Sequence, residues 1–327
     1  MNQTTWDGVD IIQNGALSES TAKRLLTDIL CGNVDDTDIS TFLAHLSTRA
    51  ETVDEMVGFA SAMRAHMIPV PLPFDYCLDL CGTGGSGKPR FNVSTAAAFI
   101  LAAMGHHVAK HGNYGSYQAN GSFNFLDALG VSYNMPIDEL QSQFNKTRLC
   151  FLLAKTFHPG MKYVAPARRA LKRRTVFNLL GPLCNPASVT HQVIGTTSIE
   201  NARLLSAAFQ RLGGHRAVIV VGGDGRDELS LMGKNKLYVV SKQHIDTFDW
   251  TSDVEVEITN FGNANENATL FTKLVKTGDT THPIMTYILA NVGLALFCIE
   301  KVDSIDNGIR EATQWYAHHH QKLNIYF

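Results

Sequence analysis

The sequence predicts an α/β protein in which a small helical domain precedes a larger domain with a mostly parallel sheet flanked by helices. Residues 1–68 show helical patterns and no strand pattern. The run Pro69-Val-Pro-Leu-Pro then ends helical structure, because proline lacks an amide donor and crowds the preceding turn. Beyond residue 75, short apolar strand patterns alternate with helical ones, as they do in parallel sheets covered by helices.

Three helices are predicted before the proline run. The segment that begins Leu17-Ser-Glu-Ser-Thr offers a Ser/Thr start, followed by apolar residues at helical spacing: Leu25, Leu26, Ile29 and Leu30. A second helix is predicted over Ile39–Ala50, and a third runs from Thr52 to about His66.

The larger domain is predicted from strand and helix patterns that alternate along the chain. The predicted strands are Cys77–Cys81, Val108–Lys110 and Ala217–Val221, and the predicted helices are Thr95–Met104, Ser122–Leu129 and Ile199–Leu212. The segment Pro159–Leu183 interrupts this alternation. We therefore expect part of 159–190 to join residues 1–68 in the helical domain, while 75–158 and 190–327 form the α/β domain.

Composition narrows the functional class. With 327 residues, 45% of them hydrophobic, the chain can bury a large core. Its net charge of -2 gives no global attraction for a polyanion, so nucleic acid is not the expected partner. The six cysteines are scattered without a CxxC pair, which predicts a reducing, cytoplasmic location. The longest apolar segments fall short of the roughly 20 residues that a membrane span needs, so no membrane association is expected.

A glycine-rich segment, Gly82-Thr-Gly-Gly-Ser-Gly-Lys-Pro, follows the first predicted strand. It fits both G-x-G-x-x-G and G-x-x-x-x-G-K, but Pro89 stands where a nucleotide triphosphatase needs Ser or Thr, and no helix begins at the third glycine. The more general prediction is an anion site. Glycine amides approach a phosphate closely, and Asn92, Ser94 and Thr95 add donors at a helix N-terminus. The alternative is a flexible turn with an ordinary helix cap.

Two further polar clusters follow predicted strands and are expected at the same edge of the sheet. In Lys110-His-Gly-Asn, the lysine offers a charge for phosphate, while His111 and Asn113 can orient a ring. Asp224-Gly-Arg-Asp-Glu places adjacent carboxylates after a strand, which suits Mg²⁺ beside a phosphate. The alternatives are a polar turn and a solvated acidic turn.

A cationic run, Arg168-Arg-Ala-Leu-Lys-Arg-Arg, carries five cations in seven residues. On a helix they point in several directions, so most are expected in solvent. One or two facing the cleft could hold a substrate carboxylate through the arginine fork. Attachment to nucleic acid is an alternative that the near-neutral charge of the chain disfavours.

These clusters, in this order, resemble the anthranilate phosphoribosyltransferases, enzymes of tryptophan biosynthesis. The resemblance extends over nearly the whole chain, and its motifs are jointly specific. They are Gly82-Thr-Gly-Gly, Phe91-Asn-Val-Ser-Thr-Ala-Ala-Ala-Phe, Lys110-His-Gly-Asn, His158-Pro-Gly-Met-Lys, Arg174-Thr-Val-Phe-Asn-Leu-Leu-Gly-Pro-Leu-Cys-Asn-Pro, Asp224-Gly-Arg-Asp-Glu and Glu266-Asn-Ala.

The resemblance implies a fold of the nucleoside phosphorylase/phosphoribosyltransferase type and homodimers joined through the helical domains. It also implies transfer of phosphoribose from phosphoribosyl pyrophosphate (PRPP) to anthranilate, with Mg²⁺ as cofactor. By matching position, the implied donor-binding residues are Gly82, Thr83, Gly84, Gly85, Asn92, Ser94, Thr95, Lys110 and Gly112. The implied metal ligands are Ser94, Asp227 and Glu228, and the implied acceptor-binding residues are His111, Asn113, Arg168 and Pro182. No side chain is expected to act as a catalytic base, because the metal and amides stabilise the departing pyrophosphate.

The chain departs from the family in two places. Ser86 stands where the family usually carries Asp, and Tyr114–Asn120 replaces an Arg followed by a Ser-Ser-Lys-Ser-Gly run. Each charged hydrogen bond lost in this way is worth roughly 1.5–3 kcal/mol. The alternatives are therefore a divergent paralogue with another aromatic or nucleobase acceptor or another donor, and a non-catalytic binding protein on the same scaffold.

Overall fold

The N-terminal part of the chain is a helical bundle. The computed structural model describes residues 6–84, 91–115, 120–256 and 262–327. The first of these ranges contains helices α1 (Gly8–Gln13), α2 (Glu19–Leu30), α3 (Asp36–Leu46) and α4 (Val53–Ala65). The side chains of Ser18, Asp35 and Thr52 cap the last three helices by accepting backbone N–H groups of the first turn. The three predicted helices are confirmed. The second was placed too late, because the Asp35 cap starts it at Asp36 and it ends at Leu46.

The larger part of the chain is built on a seven-stranded sheet. Its strands are β1 (Leu78–Gly82), β2 (Val108–Gly112), β3 (Leu149–Leu153), β4 (His191–Thr196), β5 (Arg216–Val221), β6 (Lys234–Ser241) and β7 (Ile245–Thr251). Their order is β3-β2-β1-β4-β5-β6-β7. The five strands from β3 to β5 are parallel, whereas β6 and β7 are antiparallel additions at one edge. The sheet is mostly parallel, as predicted.

The remaining helices cover this sheet or connect its strands. They are α5 (Val93–Ala103), α6 (Ser122–Leu129), α7 (Ile137–Thr147), α8 (Ala154–Phe157), α9 (Met161–Leu171), α10 (Phe177–Leu180), α11 (Ile199–Arg211), α12 (Ala264–Thr277), α13 (Pro283–Cys298) and α14 (Ile305–His319), with 3₁₀ turns at Gly181–Leu183 and His320–Tyr326. Helices α5 and α13 are buried and almost wholly apolar, and they pack on each other between the sheet and the outer helices. None of the helices in the described ranges is long and apolar enough to cross a membrane.

Helix α9 belongs spatially with the N-terminal bundle. It comes from the segment that interrupts the strand–helix alternation, and it packs against α2 and α3. The apolar residues Val164 and Ala167 of α9 share a core with the bundle. This contact agrees with the expected contribution of 159–190, although the division into domains stays a prediction.

The predicted strands Cys77–Cys81, Val108–Lys110 and Ala217–Val221 correspond to β1, β2 and β5. Strand β2 runs two residues beyond the prediction, because Lys110, His111 and Gly112 pair with Phe151, Leu152 and Leu153 of β3. The Lys110-His-Gly-Asn cluster therefore ends this strand instead of following it. Strand pairing fixes the position of the lysine and the histidine more firmly than a turn would.

The six cysteines all lie in the described part of the chain, and five of them are buried or half-buried. Burial raises the pKa of all five thiols, which are Cys77, Cys81, Cys150, Cys184 and Cys298. Cys31, at the end of α2, is exposed, and its Sγ lies 3.6 Å from Nε2 of His66 at the end of α4.

A buried carboxylate ties the start of α4 to the bundle. Glu55 is fully buried and accepts backbone N–H bonds from Leu17 at 2.9 Å and Thr52 at 2.8 Å. Arg49 donates to the same carboxylate at 2.9 Å. Burial opposes the ionisation of Glu55, but the bonds from Arg49 and the two amides outweigh it and hold the pKa of Glu55 below its usual value.

We expect Glu55→Gln to lower the free energy of unfolding by about 2–4 kcal/mol at pH 7. The NH₂ group of the glutamine would face N–H groups that need an acceptor, and Arg49 would lose its counter-charge. Asp54→Asn is the matched control, because Asp54 lies on α4 beside Glu55 and forms an exposed ion pair with Arg211 of α11. Loss of this pair should lower the free energy of unfolding by at most about 1 kcal/mol. Urea denaturation measures both.

The same pair of proteins tests the pH dependence. Because the folded-state pKa of Glu55 is lowered, its stabilisation is present at neutral pH and is lost as the pH falls through the folded-state value. The difference between wild type and Glu55→Gln should therefore shrink below about pH 4. A difference that stays constant on acidification would contradict this account.

Candidate active site

The carboxyl ends of the central parallel strands meet at one edge of the sheet. Gly82, which ends β1, is in register with Gly195 of β4, and β2 runs beside β1 and ends at Gly112. The 222–228 loop follows β5 at the same edge. The three motifs that were expected to converge thus lie at the carboxyl ends of parallel strands, at one edge of the sheet.

Asp227 contacts the glycine loop directly. Its Oδ2 accepts a hydrogen bond from the Gly84 amide at 2.7 Å. A Cβ atom on Gly195 would lie 1.7 Å from the Asp227 carbonyl oxygen, and one on Gly82 would lie 2.4 Å from Asp227 Oδ2. Both strand ends therefore need glycine because the loop crosses them so closely. The Glu228 amide nitrogen would lie 3.1 Å from the same Cβ atom on Gly195, so Glu228 also passes beside this end of β4.

Lys110 is buried between β1 and α5, and only 2% of it is exposed. Its Nζ donates to the Leu80 carbonyl on β1 and to Ser94 Oγ, the latter at 3.1 Å. Burial lowers the pKa of Lys110, and the nearby Asp79 opposes that shift. The ammonium thus joins β1 to the first turn of α5.

Asp79 is fully buried in the middle of β1 and joins three segments. Its Oδ1 accepts the His111 amide at 3.1 Å, and its Oδ2 accepts Nδ2 of Asn185 at 2.9 Å. Asn185 also donates to the Ala109 carbonyl at 2.8 Å. Burial raises the pKa of Asp79, while Lys110 and these donors oppose the shift. The carboxylate holds β2 and the turn after α10 in place.

The N-terminus of α5 is held by side-chain amides. Nδ2 of Asn92 donates to the Asn120 carbonyl at 3.2 Å, and Nδ2 of Asn267 lies 3.4 Å from Oδ1 of both Asn92 and Asn120. Thr95 is buried, and its Oγ1 finds no hydrogen-bond partner within the described ranges. The first amides of α5 and this hydroxyl are the kind of groups that anion oxygens satisfy.

Two buried imidazoles flank the segment 177–183. The ring centroids of His111 and His158 lie 5.2 Å apart, and His111 Nδ1 is 3.3 Å from the Gly181 carbonyl. Burial lowers the pKa of His111 to about 3 and that of His158 to about 4, so both rings are neutral at pH 7. Since a carbonyl only accepts, His111 donates from Nδ1 and presents Nε2 as an acceptor. This Nε2 atom is buried without a partner among the described residues.

Two other acceptor candidates lie at the same segment, Arg168 against it and Pro182 within it. The Arg168 guanidinium lies 5.5 Å over the Phe177 ring, and the buried Pro182 accepts Nε2 of Gln192 at its carbonyl at 2.7 Å. Asn113, by contrast, is exposed, and its Oδ1 accepts the Tyr114 amide at 2.9 Å. The structure groups His111, Arg168 and Pro182 around 177–183 and leaves Asn113 in solvent.

The remaining donor candidates lie along the strand ends. Thr83 is buried, and its Oγ1 donates to Thr196 Oγ1 at 3.3 Å. Gly112 packs against Ser122, whose Oγ would lie 3.2 Å from a Cβ atom there. Gly85 and Ser86 lie outside the described residues, as do residues 116–119 of the divergent segment.

Sequence reasoning missed several residues that organise the site. Arg173 and Arg174 are exposed, as expected for most of the cationic run, but their backbone partners were not predicted: Nη2 of Arg174 donates to the Gly84 carbonyl at 2.9 Å, and Arg173 donates to the Ala44 carbonyl at 2.9 Å. Asp79 had a usable signal, since it is a charge inside the apolar strand Cys77-Leu-Asp-Leu-Cys. Asn267 lies within the quoted Glu266-Asn-Ala motif, which gave no indication of its partners.

Two family models match consecutive parts of the chain. The helical bundle domain of a glycosyl transferase family matches residues 10–67, and the a/b domain of the same family matches residues 75–318. Anthranilate phosphoribosyltransferase from Moorella thermoacetica is 36% identical over 305 residues, which are 91% of this chain and 89% of the relative. This chain belongs to the anthranilate phosphoribosyltransferase family.

Solved structures of anthranilate phosphoribosyltransferases share the fold. The Thermus thermophilus enzyme has a TM-score of 0.89 at 34% identity, with 98% of both chains covered. The Saccharomyces cerevisiae enzyme in complex with PRPP and Mg has a TM-score of 0.84 at 27% identity, covering 94% of this chain and 91% of its own. The yeast enzyme in complex with 4-fluoroanthranilate gives 0.82 at 28% identity, covering 94% and 90%. The predicted family and fold class are confirmed.

The close crossing of the Asp227 backbone predicts a graded pair of variants. Gly195→Ala must displace backbone and should lower the free energy of unfolding by about 3 kcal/mol, as overpacking does in rigid surroundings. Gly82→Ala mainly meets the end of the Asp227 side chain, which can rotate, so about 1 kcal/mol is expected. Urea denaturation of both proteins is the measurement. Equal effects, or a larger one for Gly82→Ala, would show that the loop does not press on β4.

Proposed function

We propose that this chain transfers phosphoribose from PRPP to the amino group of anthranilate and releases pyrophosphate, as a step of tryptophan biosynthesis. The 2.7 Å hydrogen bond between the Gly84 amide and the Asp227 carboxylate carries the proposal. This bond supports a site in which loop amides bind phosphate and a carboxylate oxygen binds the metal. Family membership supports it, as does the likeness to a yeast enzyme with PRPP and Mg and with 4-fluoroanthranilate.

The donor's phosphates are proposed to bind between the glycine loop and the N-terminus of α5. Glycine amides, which have no side chain beside them, the positive end of the α5 dipole and the charge of the buried Lys110 all favour an anion there. The Thr95 hydroxyl, which is buried without a protein partner among the described residues, could donate to one of its oxygens. The proposed donor-binding residues are Gly82, Thr83, Gly84, Gly85, Asn92, Ser94, Thr95, Lys110 and Gly112.

Asp227, Glu228 and Ser94 are proposed to hold Mg²⁺. Carboxylate and hydroxyl oxygens suit this hard ion, and the bond to Gly84 fixes one carboxylate at the glycine loop. Within the described ranges no three His, Cys, Asp or Glu side chains form a metal site by themselves, so donor oxygens would complete the coordination. When bound, the ion would stabilise the negative charge that develops on pyrophosphate.

The acceptor is proposed to bind against the segment 177–183. Neutral His111 presents its Nε2 as an acceptor, which suits an amine N–H and leaves the nitrogen lone pair for the sugar carbon. Arg168 is proposed to face the carboxylate, because its fork matches that group. Pro182 would supply an apolar wall, and Asn113 would act from the exposed side.

The proposed mechanism is a loosely bonded substitution at the sugar carbon. The bond from the sugar carbon to pyrophosphate breaks, the amine nitrogen forms a bond to the same carbon, and that nitrogen then releases a proton to solvent. The amides of the glycine loop and the helix terminus stabilise the charge on the departing pyrophosphate. Holding the two reactants in line removes much of the entropic barrier. No side chain is proposed as a general base.

We also propose a cytoplasmic homodimer joined through the helical domain formed by 1–68 and part of 159–190, because the family resemblance implies it. Sedimentation equilibrium should then give about twice the chain mass of 35.9 kDa. A mass that stays at the monomer value at micromolar concentration would contradict the dimer.

Transfer to anthranilate can be followed by the loss of anthranilate fluorescence with PRPP and Mg²⁺. Wild type should consume the signal, and Glu228→Gln should slow turnover about 100-fold or more, because it removes a metal-binding charge. Glu311→Gln, on the exposed face of α14, is the matched control and should behave as wild type. No signal loss at high enzyme concentration would refute the proposed function. Turnover of a nucleobase in place of anthranilate would favour the divergent paralogue.

A further inference from the structure

One side chain closes the base of the segment between β2 and α6. Asn124, in the first turn of α6, accepts two backbone N–H groups at its Oδ1, from Gly115 and from Gly121, both at 3.0 Å. The two ends of this segment are therefore held at a single oxygen atom. We call Gly115, Gly121 and Asn124 the neck.

The neck is tight enough to exclude a side chain at one end. A Cβ atom on Gly121 would lie 2.2 Å from the Gly115 nitrogen and 2.5 Å from the Tyr114 carbonyl carbon. The backbone of Gly121 has φ -80° and ψ 172°, which any residue can adopt. The close approach of the two chain ends, and not the backbone conformation, is what requires glycine here.

A second set of contacts holds the residue before the neck. The Tyr114 hydroxyl lies 2.5 Å from that of Tyr133, and Tyr133 donates to Asp127 Oδ1 at 2.5 Å. The Tyr114 ring also packs on Phe123, with centroids 6.0 Å apart. Since Asp127 and Phe123 both belong to α6, this helix supports the neck by hydrogen bonds and by packing.

The neck leads directly to the proposed donor site. Asn120, which precedes Gly121, accepts Nδ2 of Asn92 at its carbonyl, at 3.2 Å. Asn92 is the N-cap residue of α5, and Ser94 in the first turn of that helix accepts the Lys110 ammonium. The closed neck therefore keeps Asn120 hydrogen-bonded to Asn92, at the helix terminus where the donor's phosphates are proposed to bind.

We propose that Asn124 is a positioning residue for the phosphorylated donor: it closes the neck, holds Asn120 on Asn92 and thereby sets the affinity for PRPP. Asn124 itself does not touch the donor. This role rests on the proposed function. It concerns the donor side only, because His111 and Arg168 contact the segment 177–183 instead, to which Pro182 belongs.

Steady-state kinetics of three variants test this role. Asn124→Ala removes the shared acceptor and should raise KM for PRPP at least about tenfold, while kcat stays within about threefold, because the weakened phosphate binding is lost equally before and during the transfer. Gly121→Ala should reproduce this pattern by forcing the neck open. Asn124→Asp keeps an oxygen acceptor for both amides and should remain within about threefold of wild type. Asn145→Ala, on the exposed face of α7, is the control.

The outcomes separate this role from the proposed function. An unchanged KM in Asn124→Ala, an equal loss in Asn124→Asp, or a loss confined to kcat would overturn the positioning role. A wild type that fails to turn over would overturn the proposed function. In that case calorimetric titration of PRPP into the same variants still decides the role of Asn124, because it reads donor affinity without an acceptor.

Discussion

The close crossing of the 224–228 loop over the ends of β1 and β4 is the constraint on which the site depends. Only glycine at positions 82 and 195 leaves room for the Asp227 backbone and carboxylate. Any side chain there would push the carboxylate away from the Gly84 amide. The parallel sheet brings both loops to the same edge, and the two glycines allow Asp227 to contact the glycine loop directly. Without that contact the glycine loop and the 224–228 loop would lie side by side without forming one site.

Buried charge is the second organising feature. Asp79 and Lys110 lie under the site, where isolated ions would be strongly unfavourable. Each is stabilised by hydrogen bonds to backbone and side-chain groups of several elements, so their positions are fixed from more than one direction. Such networks are costly unless they are satisfied, which makes them specific for one arrangement of β1, β2 and α5.

The sequence was informative about the fold where local chemistry decides it. The caps at Ser18 and Thr52 act within one helical turn, and the helices that follow them were predicted from these residues. The Asp35 cap was overlooked, so the second helix was placed too late. Strand β3 was not predicted, because a short apolar run has no period that separates a buried strand from a buried helix. The antiparallel β6 and β7 were missed for a related reason, since pairing partners are a property of the sheet and not of the segment.

The motifs converge at one edge of the sheet as predicted, but the residues that hold them in place by hydrogen bonds were not predicted. Loops that follow parallel strands must share an edge, so Gly84 and Asp227 could be placed together from order alone. Arg174 is exposed, as expected for most of its run, but its hydrogen bond to a main-chain carbonyl 90 positions away was not predicted, because no residue type indicates such a partner. The same limit applies to Asn267, whose partners come from two other elements.

The uneven exposure of the cysteines has a practical consequence. A maleimide reagent would find Cys31 accessible in the native protein, while the five other thiols are shielded until the chain unfolds. A single fluorophore could thus be attached without mutagenesis, at the junction of α2 and α4. Counting reactive thiols over time would then follow the opening of the interior region by region, since each newly labelled position reports the opening around it.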